Sequence, residues 1–368
     1  MEVLISLAKV IFAFVIVLQL TLVLLWVERK GSALIQDRVG ANRANLFGGL
    51  LPFNLGIVNT WMADPLKLFH KEDIVPADAD RFLHWLAPWI AIFPLFVTFT
   101  VIPFGDVLIA GGYTINLQGA DLNLGILYVL AMLSMAVYGV IVGGWASNSR
   151  YAFLGGVRGS AQMVSYEIAM GLSLVSVVLT FGTLDFQEIA RAQGDLLFGV
   201  FPAWGFFYQP LALLIFFIAG MAESKRAPFD LPEAESELVA GFYTEYSGSK
   251  QSVFMMADFV EVAIVAGLVT TLFFGGWQVP WLYRDGFHFP GGFHVFVPSL
   301  LVTVLQVLSF LVKLFLFCWL QILIRWSLPR LRYDQLMDLG WKRLLPLSLA
   351  NVAITAVFVL LFDGKTVW

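Results

Sequence analysis

The chain has 368 residues, of which 59% are hydrophobic and only 13% charged, with a formal net charge of −4 and a mean hydropathy of +0.82. Soluble domains carry roughly 25% charged residues, so this composition excludes a water-soluble enzyme and, with acid in excess, a nucleic-acid-binding surface. The single cysteine, Cys318, excludes an internal disulfide and an iron–sulfur cluster held by this chain alone, which takes about four ligands.

Apolar runs at about 4–27, 83–103, 122–145, 160–182, 203–222, 253–275, 298–324 and 344–362 read as about eight transmembrane helices, because backbone amides in lipid must be paired within the span. The fold class expected is therefore all-α and polytopic, a single membrane domain over 1–368. The first run holds Lys9 and has no small-residue cleavage site, so it reads as a retained span. The long connection 28–82 opens with Glu28-Arg29-Lys30, continues through Gln36-Asp37-Arg38, and ends with Asp64-Pro65-Leu66-Lys67 and Lys71-Glu72-Asp73. Its Gly/Asn/Phe-rich stretch 45–62, with Trp61, is too short and broken to span and suits an interfacial amphipathic helix. Two readings of this loop stand side by side. It is a solvated surface element, or a portal leading a lipid-soluble substrate to Arg and Asp donors. The segments 104–121 and 276–297 read as plain connections, and the step Gly139-xxx-Gly143 as a site of close helix approach. Segments 28–82, 146–159, 223–252 and 325–343 hold seventeen of the 22 Lys and Arg, which places them in the cytoplasm and both termini outside.

Charge inside a membrane protein is costly, so its positions carry the functional signal. Glu223, Asp230, Glu233, Glu235, Glu237 and Glu245 crowd one basic-side loop against Lys225 and Arg226. Glu233 and Glu237 are four apart and are expected to share a helix face. The cluster reads either as a proton relay with carboxyl pKa values pushed apart or as a solvated loop that docks a basic partner. Glu167, Asp258, Glu261 and Lys313 fall within spans. An unpaired charge there costs about 2.5–3.5 kcal/mol on insertion scales, so each carboxyl is expected to be neutral or paired with a cation such as Lys313. These acids suggest a path for protons or Na⁺, with a purely structural ion pair as the plainer reading. His70 and His84 lie in a loop and at a span edge, and none of the four histidines is positioned for haem. His288 and His294 could meet a metal in an outer loop, although no metal site is expected.

Several of these stretches resemble one family. Glu28-Arg29-Lys30, the run Gln36 to Arg43, Lys71-Glu72-Asp73, Gly144 to Ser149, Ser165-Tyr166-Glu167, the segment Ala222 to Tyr246 and the run Pro329 to Leu336 are together similar to the H-type membrane subunits of bacterial NADH-quinone oxidoreductase, the counterparts of mitochondrial complex I subunit 1. The resemblance runs over nearly the whole chain. It implies a bacterial inner-membrane subunit, without a redox cofactor of its own, that joins a peripheral arm carrying FMN and iron–sulfur clusters to antiporter-like membrane subunits. It implies quinone as substrate, with Arg29, Arg38, Asp64, Arg226 and Arg325 at the quinone chamber. It further implies a proton-coupling path through Glu28, Glu167, Glu223, Glu233, Glu235, Glu237 and Asp258, and structural or docking roles for Lys313, Arg330, Arg332 and Asp334. The chain departs from the family pattern at Ala41 (usually Pro), in a longer stretch between Arg43 and Asp64, at Asp258 (usually Glu) and at Glu261, which matches no expected position. Rival readings are the anchor subunit of a related membrane-bound hydrogenase, a free-standing cation transporter and a purely structural anchor. Arg38 and the long surface segment lean against the first, the absence of inverted repeats against the second, and the intramembrane acids against the third.

Overall fold

A computed structural model of the chain describes residues 2–40, 56–110, 113–197, 201–289 and 293–361, without the side chains of 2–3, 56–60, 109–110, 113 and 235–236. Among these residues the helices are α1 (Glu2–Ile35), α2 (Gly56–Phe69), α3 (Arg81–Phe99), α4 (Gly125–Ala146), α5 (Arg150–Phe181), α6 (Phe186–Ala192), α7 (Gly205–Tyr208), α8 (Pro210–Glu223), α9 (Glu235–Leu238), α10 (Gly248–Phe273), α11 (Ser299–Ser327), α12 (Tyr333–Asp338) and α13 (Leu345–Leu361). A wider turn over Leu339–Leu344 makes α12 and α13 one continuous rod.

Among the described residues seven helices are long and apolar enough to cross a membrane, and they match seven of the eight expected runs. The eighth, 203–222, is the short α7 followed by the 14-residue α8. Gln209 divides them with φ −130° and ψ 56°. Its amide donates to Thr180 Oγ1 at 2.9 Å and Thr355 Oγ1 at 3.0 Å and accepts from Asn351 at 3.2 Å, so a buried polar group interrupts the apolar run. Two helices outrun their apolar segments. At about 1.5 Å per residue, the 34-residue α1 is longer than a hydrocarbon core of about 30 Å and carries Glu28 and Arg29 on past the span. α5 starts at Arg150, so most of the expected loop 146–159 is helix.

α10 is the central helix. Of the 18-residue apolar stretch that qualifies it as a span 83% is buried, against 28% for α1 and α11 and 22% for the final rod. α3 begins where Asp80 accepts the free N–H groups of Phe82 and Leu83. It meets α4 at Gly139, where a Cβ would come within 2.6 Å of the Ala91 backbone, the close approach expected of that small-residue step.

The connections expected to be plain are structured at the end of the bundle opposite the basic loops. Val107–Ala110 pairs with Tyr113–Asn116, and Leu282–Tyr283, Gly286–His288 and His294–Phe296 form a three-stranded antiparallel sheet. Buried Asp106 ties this end together. Its Oδ1 accepts from Arg191 Nε at 3.0 Å and Nη2 at 2.8 Å, and its Oδ2 from Arg284 Nε at 3.2 Å and Nη2 at 2.8 Å.

Candidate functional site

A cavity of about 1240 Å³ opens between α1, α2, α3 and the start of α10. Most of its wall is apolar, including Phe14, Trp85, Trp89, Phe93 and Met256, and Arg29, Asp64 and Lys250 supply charge. α2, with Pro65 inside it, is too short to span; it packs on α1 and α10, and its Trp61 Nε1 donates to Gln19 at 2.8 Å. The helix brings Asp64 to 2.7 Å from Arg29. Phe259 of α10 lines this cavity and also a small cleft formed with Glu28, Arg226 and Arg325.

Behind Phe259 the charges are closely paired. Glu28 accepts from Arg226 Nη1 at 3.0 Å and from Arg325 through its other oxygen. The Arg226 guanidinium also lies 4.1 Å from the centre of the Phe259 ring, a cation–π contact. Lys225 reaches Asp258 Oδ1 at 3.1 Å and Glu261 Oε2 at 3.0 Å, with all three side chains buried. The Tyr243 hydroxyl donates to Asp258 Oδ2. Asp230 accepts from Arg330 at 2.8 Å. Glu167, half-buried on α5, accepts from Ser134.

The loop 224–247 carries most of these groups because it is pinned from two sides and packed tightly on itself. Gln162 Nε2 donates to the carbonyls of Ala222 (2.8 Å) and Phe229 (2.7 Å), and the Leu331 N–H donates to Pro228 O at 3.0 Å. Gly241, at φ +55°, lies so close to Pro232 that a Cβ would sit 1.6 Å from its carbonyl oxygen, and only glycine fits there.

The loop's electrostatics follow from burial. Burial, then the fields of Asp258 and Asp230, pushes Glu233 up to about 8 against the pull of Arg226 and Arg325, which poises this carboxyl near neutrality. Burial also raises Asp230, although Arg330 opposes the shift. Burial and then Asp258 hold the Tyr243 phenol well above its ordinary range, so it remains a donor. For Lys225 burial works against the charge, but Glu261 and Asp258 outweigh it and keep the ammonium protonated.

Glu223, at the end of α8, is 1% exposed, and both of its carboxylate oxygens lack a hydrogen-bond partner among the described residues. The carboxylates whose fields reach it are Glu261 and Glu167. The acids act on one another in the order Glu167, Glu223, Glu261, Asp258, Glu233 and Asp230, with Lys225 bonded to the Asp258–Glu261 pair in the middle and Arg226 within the fields of Glu28, Asp258 and Glu233.

Two expectations are corrected. Glu233 and Glu237 do not share a helix face: α9 begins only at Glu235, Glu233 is partly buried toward Asp258, and Glu237 is exposed and paired with Arg158 at 2.6 Å. Among the described residues Lys313 pairs with no buried acid. Its ammonium donates to the carbonyls of Phe274 (2.9 Å), Gly276 (3.1 Å) and Gln278 (2.6 Å), at the C-terminal end of α10, where a helix favours positive charge. The cation that compensates Asp258 is Lys225.

Arg38 is exposed, its Nε bonded to Gln36 at 2.7 Å, and it is not among the cavity's lining residues. The side chain of Glu235 lies outside the described residues, as do Ala41–Arg43 and most of the stretch 45–62. Arg332 and Asp334 pair with one another on the surface. His288 and His294 face each other across two strands with ring centres 4.3 Å apart. Reasoning from sequence missed Phe259 and Tyr243, whose residue types carry no signal in an aromatic-rich chain. Glu261, three residues from Asp258, was placed among the path-forming acids although it matches no expected family position, and Lys225 was noted only as a cation beside the acidic loop.

The bundle defines a polytopic helical membrane protein organised around buried ionisable groups beside a large apolar cavity. A family model described as NADH dehydrogenase matches residues 8–356. The H-type subunit 1 of NADH-quinone oxidoreductase in Geobacter metallireducens is 46% identical over 361 residues, covering 98% of each chain. The H-type subunit 2 of the same oxidoreductase in Geobacter sulfurreducens is 47% identical over 355 residues, covering 96% of each. The H-type subunit in Bdellovibrio bacteriovorus is 40% identical over 378 residues, covering 95% of each. The chain belongs to the NADH dehydrogenase family.

Proposed function

We propose that this chain is the quinone-handling membrane subunit of a proton-translocating NADH-quinone oxidoreductase of a bacterial inner membrane. In this reading the basic loops face the cytoplasm, where they dock the peripheral arm, and antiporter-like subunits adjoin the bundle within the membrane. The observation that carries the proposal is the position of Phe259, one ring that separates the cavity from the Glu28–Arg226–Arg325 cluster.

The apolar wall of the cavity suits an isoprenoid tail, and the Arg29–Asp64 pair suits the headgroup, whose carbonyl oxygens accept hydrogen bonds from a guanidinium. Arg38, on the surface beyond α1, would meet the substrate only with a partner subunit in place. Reduction to quinol consumes two electrons and two protons. With a single thiol this chain cannot ligate an iron–sulfur cluster, so the electrons arrive from partner subunits carrying FMN and such clusters. The change of charge at the headgroup acts through a dry, low-dielectric partition on Arg226, where a shift of field is worth far more than in water. Arg226 balances Glu28 on one side and lies within the fields of Asp258 and Glu233 on the other. Quinone chemistry thereby alters the protonation of Glu233 and, through Asp258 and Glu261, of Glu223 and Glu167. Glu237, paired at the surface, is peripheral to this route.

Asp64→Ala in the assembled complex tests the headgroup site. Quinone reductase activity should fall by about tenfold or more, as misplacement of a reactant does, while NADH oxidation by a water-soluble acceptor such as ferricyanide is retained. Equal loss of both activities at normal complex content would contradict the assignment.

A further inference from the structure

Lys225 occupies a backbone conformation that its side chain makes costly. α8 ends at Glu223, and Lys225 follows the cap residue Ser224 with φ +53°. This left-handed position after a helix normally falls to Gly or Asn. Strain of this kind persists where the surrounding structure requires it. Here the turn sends the lysine side chain into the bundle, where its ammonium touches Asp258 and Glu261 and is only 3% exposed.

The two acids are three residues apart on one face of α10, the most buried helix, and in a dry site they would repel each other. One ammonium between them offsets one charge and leaves one, so the trio carries a net −1 when both acids are ionised. On one side stands Glu223, fully buried and without a hydrogen-bond partner among the described residues. On the other, Tyr243 fixes the second oxygen of Asp258.

We infer that Lys225 is a positioning residue of the relay, holding Asp258 and Glu261 as one site that carries a single exchangeable proton. The inference rests on the reading of this region as a proton-coupling path. In the loading step an O–H bond of Glu223 breaks and one forms on Glu261. Glu223 becomes the carboxylate, Glu261 becomes neutral, and the ammonium stays with Asp258 as its remaining ionised partner. The trio passes from −1 to 0, and it returns to −1 when the proton moves on. The ammonium stays between the two carboxyls throughout and offsets one of their charges, so that one proton, not two, resides on the pair.

The test uses the assembled complex in membrane vesicles and measures complex content, NADH–quinone turnover and protons translocated per NADH. Glu261→Gln leaves Lys225 and Asp258 as a neutral pair but removes the exchangeable site. It should assemble, with turnover lowered about tenfold and protons per NADH reduced. Lys225→Arg should keep both near wild type, because the charge is retained. Lys225→Met should lose complex or turnover, and adding Glu261→Gln to it should restore content without restoring protons per NADH. A purely structural ion pair predicts otherwise: wild-type protons per NADH in Glu261→Gln or in the double variant overturns the inference, as does loss of complex in Glu261→Gln. Asp258→Asn and Glu233→Gln serve as controls for the path itself. If they lower pumping while Glu261→Gln does not, only the role of Lys225 and Glu261 fails. If neither lowers pumping, the path fails with it.

Discussion

Two acids at opposite ends of the bundle are each held by two arginines, yet their surroundings differ. Asp106 is fully bonded. Both oxygens are taken by Arg191 and Arg284, Gln187 adds a weak contact at 3.4 Å, and the two guanidiniums are 44% and 70% exposed. It joins the segment after α3 to α6 and to the three-stranded sheet. Glu28 is held by one bond each from Arg226 and Arg325, and those arginines are largely buried and border a further row of acids. In that row Glu223 and one oxygen of Asp230 lack hydrogen-bond partners among the described residues. A satisfied pair with solvated cations fastens loops. A row of under-compensated acids in a dry site is expensive to keep and responds to any new charge nearby.

Substitutions can break this comparison, and the largest effect belongs to the site beside the cavity. Arg226→Met removes a buried cation that Glu28, Asp258 and Glu233 all use, and breaking such a pair costs roughly 3–5 kcal/mol. Assembled complex should be strongly depleted, as native gel electrophoresis of solubilised membranes would reveal. Asp106→Asn should cost less, about 1–3 kcal/mol for weakened charge-assisted bonds, because Arg191 and Arg284 can turn to water. It should lower the thermal unfolding temperature of the purified complex and leave turnover per complex unchanged. If Asp106→Asn instead abolished turnover at normal content, the division between fastening and responsive pairs would be wrong. Glu237→Gln sets the lower limit: its partner Arg158 is at the surface, such pairs are worth about 0–1 kcal/mol, and neither unfolding temperature nor pumping should move measurably.

The membrane helices were legible because lipid demands long uninterrupted apolar runs, and α1, α3, α4, α10 and α11 fulfil that demand directly. The early start of α5 was not. Residues 150–160 hold two arginines and three glycines and read as a loop, yet a Cβ on Gly155 would come within 2.7 Å of the Phe242 backbone and one on Gly156 within 3.2 Å of Val140 O. The glycines serve tight packing, and packing has no one-dimensional signature. The partner of Lys313 was hidden because backbone carbonyls carry no residue identity. Lys225 was visible as a charge, but its inward direction comes from a left-handed φ that lysine seldom adopts. Acids could be located from sequence because their placement violates composition; their pairing depends on which helix ends meet.

The most direct test of the account is Asp258→Asn in the assembled complex. The change keeps size and hydrogen-bonding capacity for Tyr243 and removes only the ability to ionise. Complex content, NADH–quinone turnover and proton translocation should be measured on the same membranes. The account predicts assembled complex in which turnover and pumping fall together by about tenfold or more. Wild-type turnover and pumping at normal content would contradict it and remove Asp258 from the path.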